Sequence, residues 1–284
     1  YAASAITDGT MNTLVGSFAG ATLTTGNGNV ALGFAAGCET TTSGYNVYLG
    51  DSAGRSMQTG DYNFAGGYAA LNGSGTAADN TGDYNVAVGL KAGYAISSGE
   101  GGIYIGQCAG YGNHSGSYSI IIGYQAAKEA GYGDGAVTSN IIIGKEAGYA
   151  GSFAGATYNI IIGEKAGCDV TSGCCNVMLG IDAGANLTTG NNNVMVGNSA
   201  GKSGTMTGSG NVFVGQYAGN LTAGGAQNIF IGDQAGNTNT SGGCNIAIGY
   251  NVELPSATGN TQLAIGKDTS RWITGDSSYN ITVN

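Results

Sequence analysis

The 284-residue sequence contains little charge, one proline, one histidine and no stretch of 18 or more apolar residues. Its 8 Lys and Arg are outnumbered by 17 Asp and Glu, which gives a formal net charge of −9. So few basic residues argue against a nucleic-acid partner, because such proteins neutralise phosphates with Lys and Arg. The lack of a long apolar stretch predicts no membrane insertion.

Glycine is the residue in excess, with 56 copies in the chain. Collagen is excluded, since its triple helix requires Gly at every third position and abundant proline. Disorder is a poor fit, because 42% of the residues are hydrophobic and unfolded chains combine low hydrophobicity with high charge. This composition favours a search for internal repeats before any other feature.

A nine-residue motif recurs along the chain: Asn, three apolar residues, Gly, two variable residues, Ala and Gly. Clear copies begin at Asn29, Asn193 and Asn228, and fifteen copies begin between Asn12 and Gln262. Ten of the fourteen steps between copies are 17 residues long. The fifth position is Gly in all fifteen copies, and the eighth is Ala in thirteen.

This unit predicts one coil of a parallel β-solenoid. Its three apolar residues are typical of a strand, the invariant Gly marks a corner, and a Thr-Gly or Ser-Gly pair marks a turn. Val, Ile, Asn and Gly are poor helix formers, and the unit leaves no ten-residue window for a helix. We expect an all-β chain that forms a parallel β-solenoid, or β-roll, of about fifteen 17-residue coils.

The repeat also predicts how the chain is divided. Residues 1–11 form an N-terminal lead-in, residues 12–266 form the solenoid, and residues 267–284 form a C-terminal cap or a transition to a following domain. Three longer steps, of 22, 21 and 19 residues, insert extra residues between the corner and the turn. We expect these insertions to lie on the outside of the coil.

Side chains alternate along a strand, so the three apolar positions of each copy imply two opposite faces. We expect positions two and four to line the interior, and position three, apolar in every copy, to point outward. A stripe of that length exceeds the apolar patches of ordinary monomers, so we expect another chain, or a separate domain of the same polypeptide, to cover it. The expected inter-chain residues are Ile121, Ile142, Ile161, Met178, Met195, Phe213 and Phe230.

Longer forms of the motif carry a resemblance to known families. Asn-Val-Ala-Val-Gly and Asn-Ile-Ile-Ile-Gly, followed two residues later by Ala, resemble the head repeat of trimeric autotransporter adhesins. Thr-Gly-x-x-Asn-Val-x-Val-Gly-x-x-Ala-Gly more closely resembles the repeats of phage tail-fibre proteins. The resemblance covers residues 12–266, and the run from Gln262 to Asn280 resembles the segment that leads toward a self-cleaving chaperone domain in such fibres.

This resemblance implies that three left-handed β-rolls pack around a three-fold axis, with position three as the trimer-axis row. It also implies a structural, host-binding fibre without catalysis, on the virion or on an extracellular surface. The implied partners are two further copies of the chain and a host surface glycan or receptor. A polysaccharide-degrading tailspike and a bacterial trimeric adhesin head are the alternative interpretations.

Position one of the motif predicts an asparagine ladder, since stacked coils bring its side-chain amides into line, as in cross-β assemblies. Tyrosine often precedes this Asn, and we expect it either to cover the turn as a staple or to form an exposed aromatic surface. The expected ladder residues are Asn29, Asn46, Asn159, Asn176, Asn193, Asn211, Asn228 and Asn245.

The sequence offers little for catalysis, and we expect no catalytic residue, metal or cofactor. His114 is the only histidine and lies in a turn, Gly-Asn-His-Ser-Gly, without the spacing of a triad or a metal site. Asp182 and Asp233 lie where tailspikes place paired carboxylates, but no partner stands out in the sequence.

The six cysteines are too few for a disulfide framework in a chain of this length. Free thiols fit assembly in a reducing cytoplasm, which favours a virion component over a secreted adhesin.

Recognition residues concentrate on loops held by a rigid scaffold, so the insertions are the candidate recognition loops. They cover residues 72–81, 130–139 and 150–157, and the first two contain Asp79, Tyr132 and Asp134. Neutral insertion is the alternative, because the entropic cost of loop closure grows slowly with length.

Overall fold

The computed structural model describes residues 2–74, 80–130, 136–149, 153, 155–202, 204–278 and 280–283. These residues form β-strands, turns and loops, and no helix occurs among them. In this described part, no helix is long and apolar enough to cross a membrane. The expectation of an all-β parallel solenoid is therefore confirmed.

The chain divides into two compact units, Tyr1–Ile143 with Ser152–Ala154, and Gly144–Gly151 with Gly155–Asn284. We call them the N-terminal and C-terminal units. In the N-terminal unit the strands are β1 Thr13–Val15, β2 Val30–Leu32, β3 Val47–Leu49, β4 Phe64–Gly66, β5 Val86–Val88, β6 Ile103–Ile105, β7 Ile120–Ile122 and β8 Ile141–Ile143. Each pairs in parallel with the next, and the same repeat position lies opposite itself, as Ala31 does opposite Tyr48.

The C-terminal unit begins with the same arrangement. Its strands are β9 Ile160–Ile162, β10 Val177–Leu179, β11 Val194–Val196, β12 Val212–Val214, β13 Ile229–Ile231, β14 Ile246–Ile248, β15 Leu263–Lys267, β16 Ser270–Gly275 and β17 Ile281–Val283. Strands β9 to β15 pair in parallel. Strands β16 and β17 add antiparallel pairings, so the last segment departs from the solenoid pattern.

The glycine at position five makes the first corner of each coil. Gly163 has a φ of +142°, and a Cβ there would lie 2.2 Å from the carbonyl oxygen of Gly180 in the next coil. Both the backbone conformation and the stacking distance therefore require glycine. The next corner uses left-handed backbone without glycine, as at Lys165 with a φ of 54°.

We expect Gly163→Ala to lower the stability of the C-terminal unit by about 2–4 kcal/mol, because it adds backbone strain and a clash with Gly180. Thermal unfolding followed by circular dichroism measures the effect. Gly224→Ala is the matched control, since a Cβ at Gly224 meets no atom within 4 Å and its φ is not positive. Equal unfolding temperatures for the two variants would contradict this account of the corner.

The core of each unit contains a column of position-three side chains within the chain's own coils, together with buried position-eight alanines such as Ala166 and larger buried side chains such as Leu187. The expectation that this row faces another chain is wrong, because each of its residues is fully buried. The residues that were expected at the trimer axis, and that instead lie in the interior of the coils, are Ile121, Ile142, Ile161, Met178, Met195, Phe213 and Phe230. Each coil has a three-residue strand, so its single middle side chain points into the interior and its two flanking side chains point outward.

The asparagine ladder is confirmed. The backbone N–H and Nδ2 of Asn211 donate to Oδ1 of Asn193 at 2.9 and 3.0 Å, and Nδ2 also donates to the Gly225 carbonyl at 2.9 Å. Asn228 donates in the same way to Oδ1 of Asn211. Each amide therefore links one coil to the next and also fastens the turn of its own coil. The predicted members are buried, namely Asn29, Asn46, Asn159, Asn176, Asn193, Asn211, Asn228 and Asn245.

Three ladder positions lack Asn, namely Gly102, Ser119 and Gln262, and at the first two neighbouring groups replace its bonds. At Gly102 the Tyr104 ring fills the space, and its hydroxyl accepts from Nδ2 of Asn113 at 3.0 Å and donates to the Gly116 carbonyl at 3.5 Å. Burial raises the pKa of Tyr104, so its hydroxyl stays protonated as a donor. At the next coil the Ser119 hydroxyl donates to the Val137 carbonyl and accepts from the Asn140 N–H.

Candidate recognition surfaces

The flanking strand positions, two and four, create an apolar surface on the outside of each unit. In β9 and β13 the exposed fractions are 36% for Ile160, 37% for Ile162, 38% for Ile229 and 40% for Ile231. Their neighbours in the same two columns are half-buried Val, Ile and Leu residues. We call positions two and four of β1–β8 and of β9–β15 the outer apolar face of the respective unit.

Three tyrosines that precede ladder asparagines stack on one another in the N-terminal unit. The ring centroids of Tyr45 and Tyr62 are 5.2 Å apart, those of Tyr62 and Tyr84 are 5.1 Å apart, and the planes are nearly parallel. A Cβ on Gly28 would touch the Tyr45 ring, so this ring also leans over the preceding coil. The three rings are also half or more exposed, at 53%, 50% and 60%, so they form an exposed aromatic surface as well as stacking along the turns.

Tyr118 occupies the same position three coils after Tyr62 and is anchored differently. Its hydroxyl donates a hydrogen bond to Oε1 of Glu100. This bond, together with the negative charge of Glu100, raises the pKa of Tyr118. The tyrosine is therefore fixed to the turn of the coil before it.

The charged corner of the C-terminal unit carries exposed ion pairs. Lys145 Nζ lies 2.8 Å from Oε1 of Glu164, and Lys165 Nζ lies 3.7 Å from Oε2 of Glu146. The hydrogen bond and charge of Lys145 lower the pKa of Glu164. Exposed pairs of this kind contribute little to stability, so we regard this corner as a solvated surface.

The two carboxylates considered for catalysis have different surroundings. Asp182 pairs with Lys202 at 2.8 Å, whereas Oδ1 of Asp233 is buried without a hydrogen-bond partner among the described residues. Within the described ranges, no group of three or more His, Cys, Asp or Glu residues could hold a metal ion. The cysteines are free thiols, and Sγ of Cys174 and Sγ of Cys175 are 3.5 Å apart.

An open cavity of about 280 Å³ lies on the side of the N-terminal unit. Four successive coils contribute to it, through the segments that follow β3, β4, β5 and β6. Its lining contains an aromatic pair, the only histidine and several small polar side chains, namely Ser56, Asn72, Gly73, Ser74, Tyr94, Ala95, Tyr111 and His114.

Sequence reasoning identified only part of this cavity. Asn72 and Ser74 belong to the first predicted recognition loop, whereas the sequence places His114 in a turn and assigns it no role. Tyr94 and Tyr111 were missed, although the 17-residue interval between them places both at the tenth position of the repeat. The other predicted loop residues, Asp79, Tyr132 and Asp134, lie outside the described residues.

Comparison with protein-family models, curated proteins and solved structures finds no match to this chain.

Proposed function

We propose that the chain is a structural segment of a homotrimeric fibre, from a phage tail or a similar viral fibre, that presents a surface-recognition face and catalyses no reaction. The observation that carries this proposal is the outer apolar face. Its columns of Val, Ile and Leu run along each unit, and an isolated soluble chain rarely exposes so large an apolar patch.

The area of this face supplies part of a stable interface. If the fourteen flanking side chains of β9–β15 each lose about 30 Å² on assembly, the C-terminal unit buries about 400 Å² per chain, which is about half of the roughly 800 Å² per partner of typical stable interfaces. The N-terminal unit offers a face of the same kind. The resemblance to trimeric adhesin heads and tail fibres supports three copies around an axis.

Localisation on a virion follows from the same proposal. The free thiols fit assembly in a reducing compartment, where disulfides do not persist. The low charge of the chain and the stacked tyrosines fit a rigid scaffold rather than a catalytic cleft.

We expect sedimentation velocity to give a mass about three times that of the 27.9 kDa chain, at all concentrations that the method reaches. A stable, soluble monomer or dimer would contradict the trimer. Incubation of the same sample with bacterial capsule or lipopolysaccharide should leave the polymer intact. Release of oligosaccharides would instead favour the tailspike interpretation.

A further inference from the structure

We propose that the cavity beside Tyr94 binds one pyranose ring of a surface polysaccharide, an inference that rests on the proposed surface-recognition role. We call it the Tyr94 cavity, and the groups that matter are Ser56, Asn72, Ser74, Tyr94 and His114. The C–H face of a pyranose is apolar and weakly positive, so it complements the negative face of an aromatic ring. The surrounding sugar hydroxyls require hydrogen-bond partners at the rim of that ring.

Tyr94 presents one ring face to the cavity. Tyr111, in the following coil, covers its other face, with ring centroids 4.8 Å apart and planes within 3°. Asn72, from the preceding coil, is the next member of the same column, because the Gly73 N–H donates to the Tyr94 carbonyl. The Tyr94 face opposite Tyr111 therefore lies on the side of the lining residues Asn72 and Ser74.

Lys91 does not block this face. Its Nζ lies 5.4 Å from the Tyr94 centroid and 5.9 Å from the Tyr111 centroid. An ammonium on the outer face of Tyr94 would lie much farther from Tyr111 than from Tyr94, because the rings are 4.8 Å apart. The nearly equal distances place the ammonium alongside the stacked pair, where its charge also disfavours a cationic amino sugar.

The cavity also contains polar groups whose hydrogen-bonding capacity is unused within the described part of the chain. The Ser56 hydroxyl, the Asn72 amide, the Tyr94 hydroxyl and the His114 imidazole make no hydrogen bond to other described residues, whereas the His114 carbonyl accepts from Ser97. Together these four groups provide donors and acceptors on several sides of the cavity. They match a ligand that carries hydroxyl groups around an apolar face.

The side of the cavity that Ser56 and Ser74 form is held in place before any ligand binds. The Ser74 N–H and hydroxyl both donate to Oδ1 of Asn80 at 3.0 Å. Nδ2 of Asn80 donates to the Ser56 carbonyl at 2.9 Å, and Asn80 itself is fully buried. A wall fixed in this way lowers the entropic cost of binding. This amide comes from the first insertion, which lengthens the repeat.

The volume limits the ligand to one ring. A cavity of about 280 Å³ lies just below the range of about 300–1,000 Å³ that is usual for drug-sized ligands. The described lining residues include no carboxylate, so neutral and acidic pyranoses meet no like charge from them. The remainder of a polysaccharide would leave through the open side of the cavity.

Saturation-transfer NMR with the full chain tests this site, using methyl glycosides of glucose, galactose, mannose and glucuronic acid, together with glucosamine as a cationic sugar. We expect saturation of at least one neutral or acidic glycoside, with a dissociation constant in the millimolar range, as is usual for a ligand of this size. Glucosamine should bind more weakly. No saturation of any glycoside by the wild-type chain would overturn the proposal.

Variants assign the binding to the cavity. Tyr94→Ala and Asn72→Trp should each weaken binding at least tenfold, the first by removing the ring face and the second by filling the space above it. Tyr94→Phe should retain most of the binding, which separates stacking from a loss of folding. Tyr62→Ala is the matched control and should bind as wild type, because this tyrosine lies outside the cavity. Equal binding by Tyr94→Ala and wild type would contradict the site.

The same preparations keep this inference distinguishable from the proposed function. If the chain sediments as a trimer but binds no glycoside, the fibre proposal stands and the binding site is contradicted. If the chain is a monomer that binds glycosides through Tyr94, the binding site stands and the fibre proposal is contradicted. Trimers of unchanged mass for Tyr94→Ala and Asn72→Trp would show that their loss of binding is local.

Discussion

A chain that carries both Ile229→Asp and Ile231→Asp should sediment as a folded monomer. Ile229 and Ile231 are the first and last residues of β13, and both are about two-fifths exposed on the outer apolar face. The isolated chain should therefore tolerate their replacement by Asp. In the proposed trimer the same carboxylates would be buried without a partner, which costs several kcal/mol for each ion. Assembly should therefore fail while the coil still folds.

Sedimentation velocity measures the mass of this double variant, and far-ultraviolet circular dichroism measures its fold. Ile181→Asp is the matched control, since Ile181 is an equally apolar residue of the same unit, half exposed at a corner outside the outer apolar face. It should remain a trimer. A trimeric double variant would show that another surface carries the assembly.

The middle residue of the same strand should behave in the opposite way. Phe230 is fully buried and stacks on Phe213, with ring centroids 5.2 Å apart. A charge at this position, or at Ile161, would therefore unfold the coil itself rather than separate chains. Substitutions in β13 therefore test two different interactions: those at Ile229 and Ile231 test assembly of the chains, and those at Phe230 test folding of the coil.

Removal of one ladder amide should destabilise the C-terminal unit by about 3–5 kcal/mol, because Asn211→Ala leaves several buried donors and acceptors unpaired. The Asn228 N–H and Nδ2 lose their acceptor, and the Gly225 carbonyl loses its donor. We expect the unfolding temperature of this unit to fall by several degrees or more.

Thermal denaturation followed by circular dichroism checks this result, with Asn198→Ala as the control. Asn198 is exposed, and its side chain accepts one bond from the neighbouring Ser199 hydroxyl. The control should unfold within about 1 kcal/mol of wild type. A similar loss for both variants would mean that the ladder contributes no more than an ordinary surface amide.

Much of the fold follows from spacing alone. Gly at position five, Ala at position eight and Asn at position one recur with the same 17-residue step, so strands, corners and the ladder were predictable at single residues such as Gly163 and Asn211. Left-handed backbone at non-glycine residues was not predictable, since Lys165 and Tyr158 share no side-chain feature that favours a positive φ. Stacking of the coils enforces that conformation.

The candidate site was less accessible to sequence reasoning. Tyr94 and Tyr111 stand at the same repeat position, but their role as one wall depends on the preceding coil, which carries the shorter Asn72 at this position rather than a third aromatic residue. Asn80 belongs to an insertion that interrupts the 17-residue step, so the periodic pattern could not assign its bonds to Ser74 and Ser56.

The sequence by itself determined that this chain is a coiled succession of short parallel strands, and which residues share a face. It did not determine which face is inside, because positions two, three and four are all apolar and alternation alone is symmetric between the two faces. Only the tertiary structure decided this: the middle side chains, such as Phe230, are buried, and the flanking Ile229 and Ile231 stay outside. The reason is space, since position-eight alanines such as Ala235 and larger side chains such as Leu187 also occupy the interior, which leaves room for one side chain from each strand rather than two.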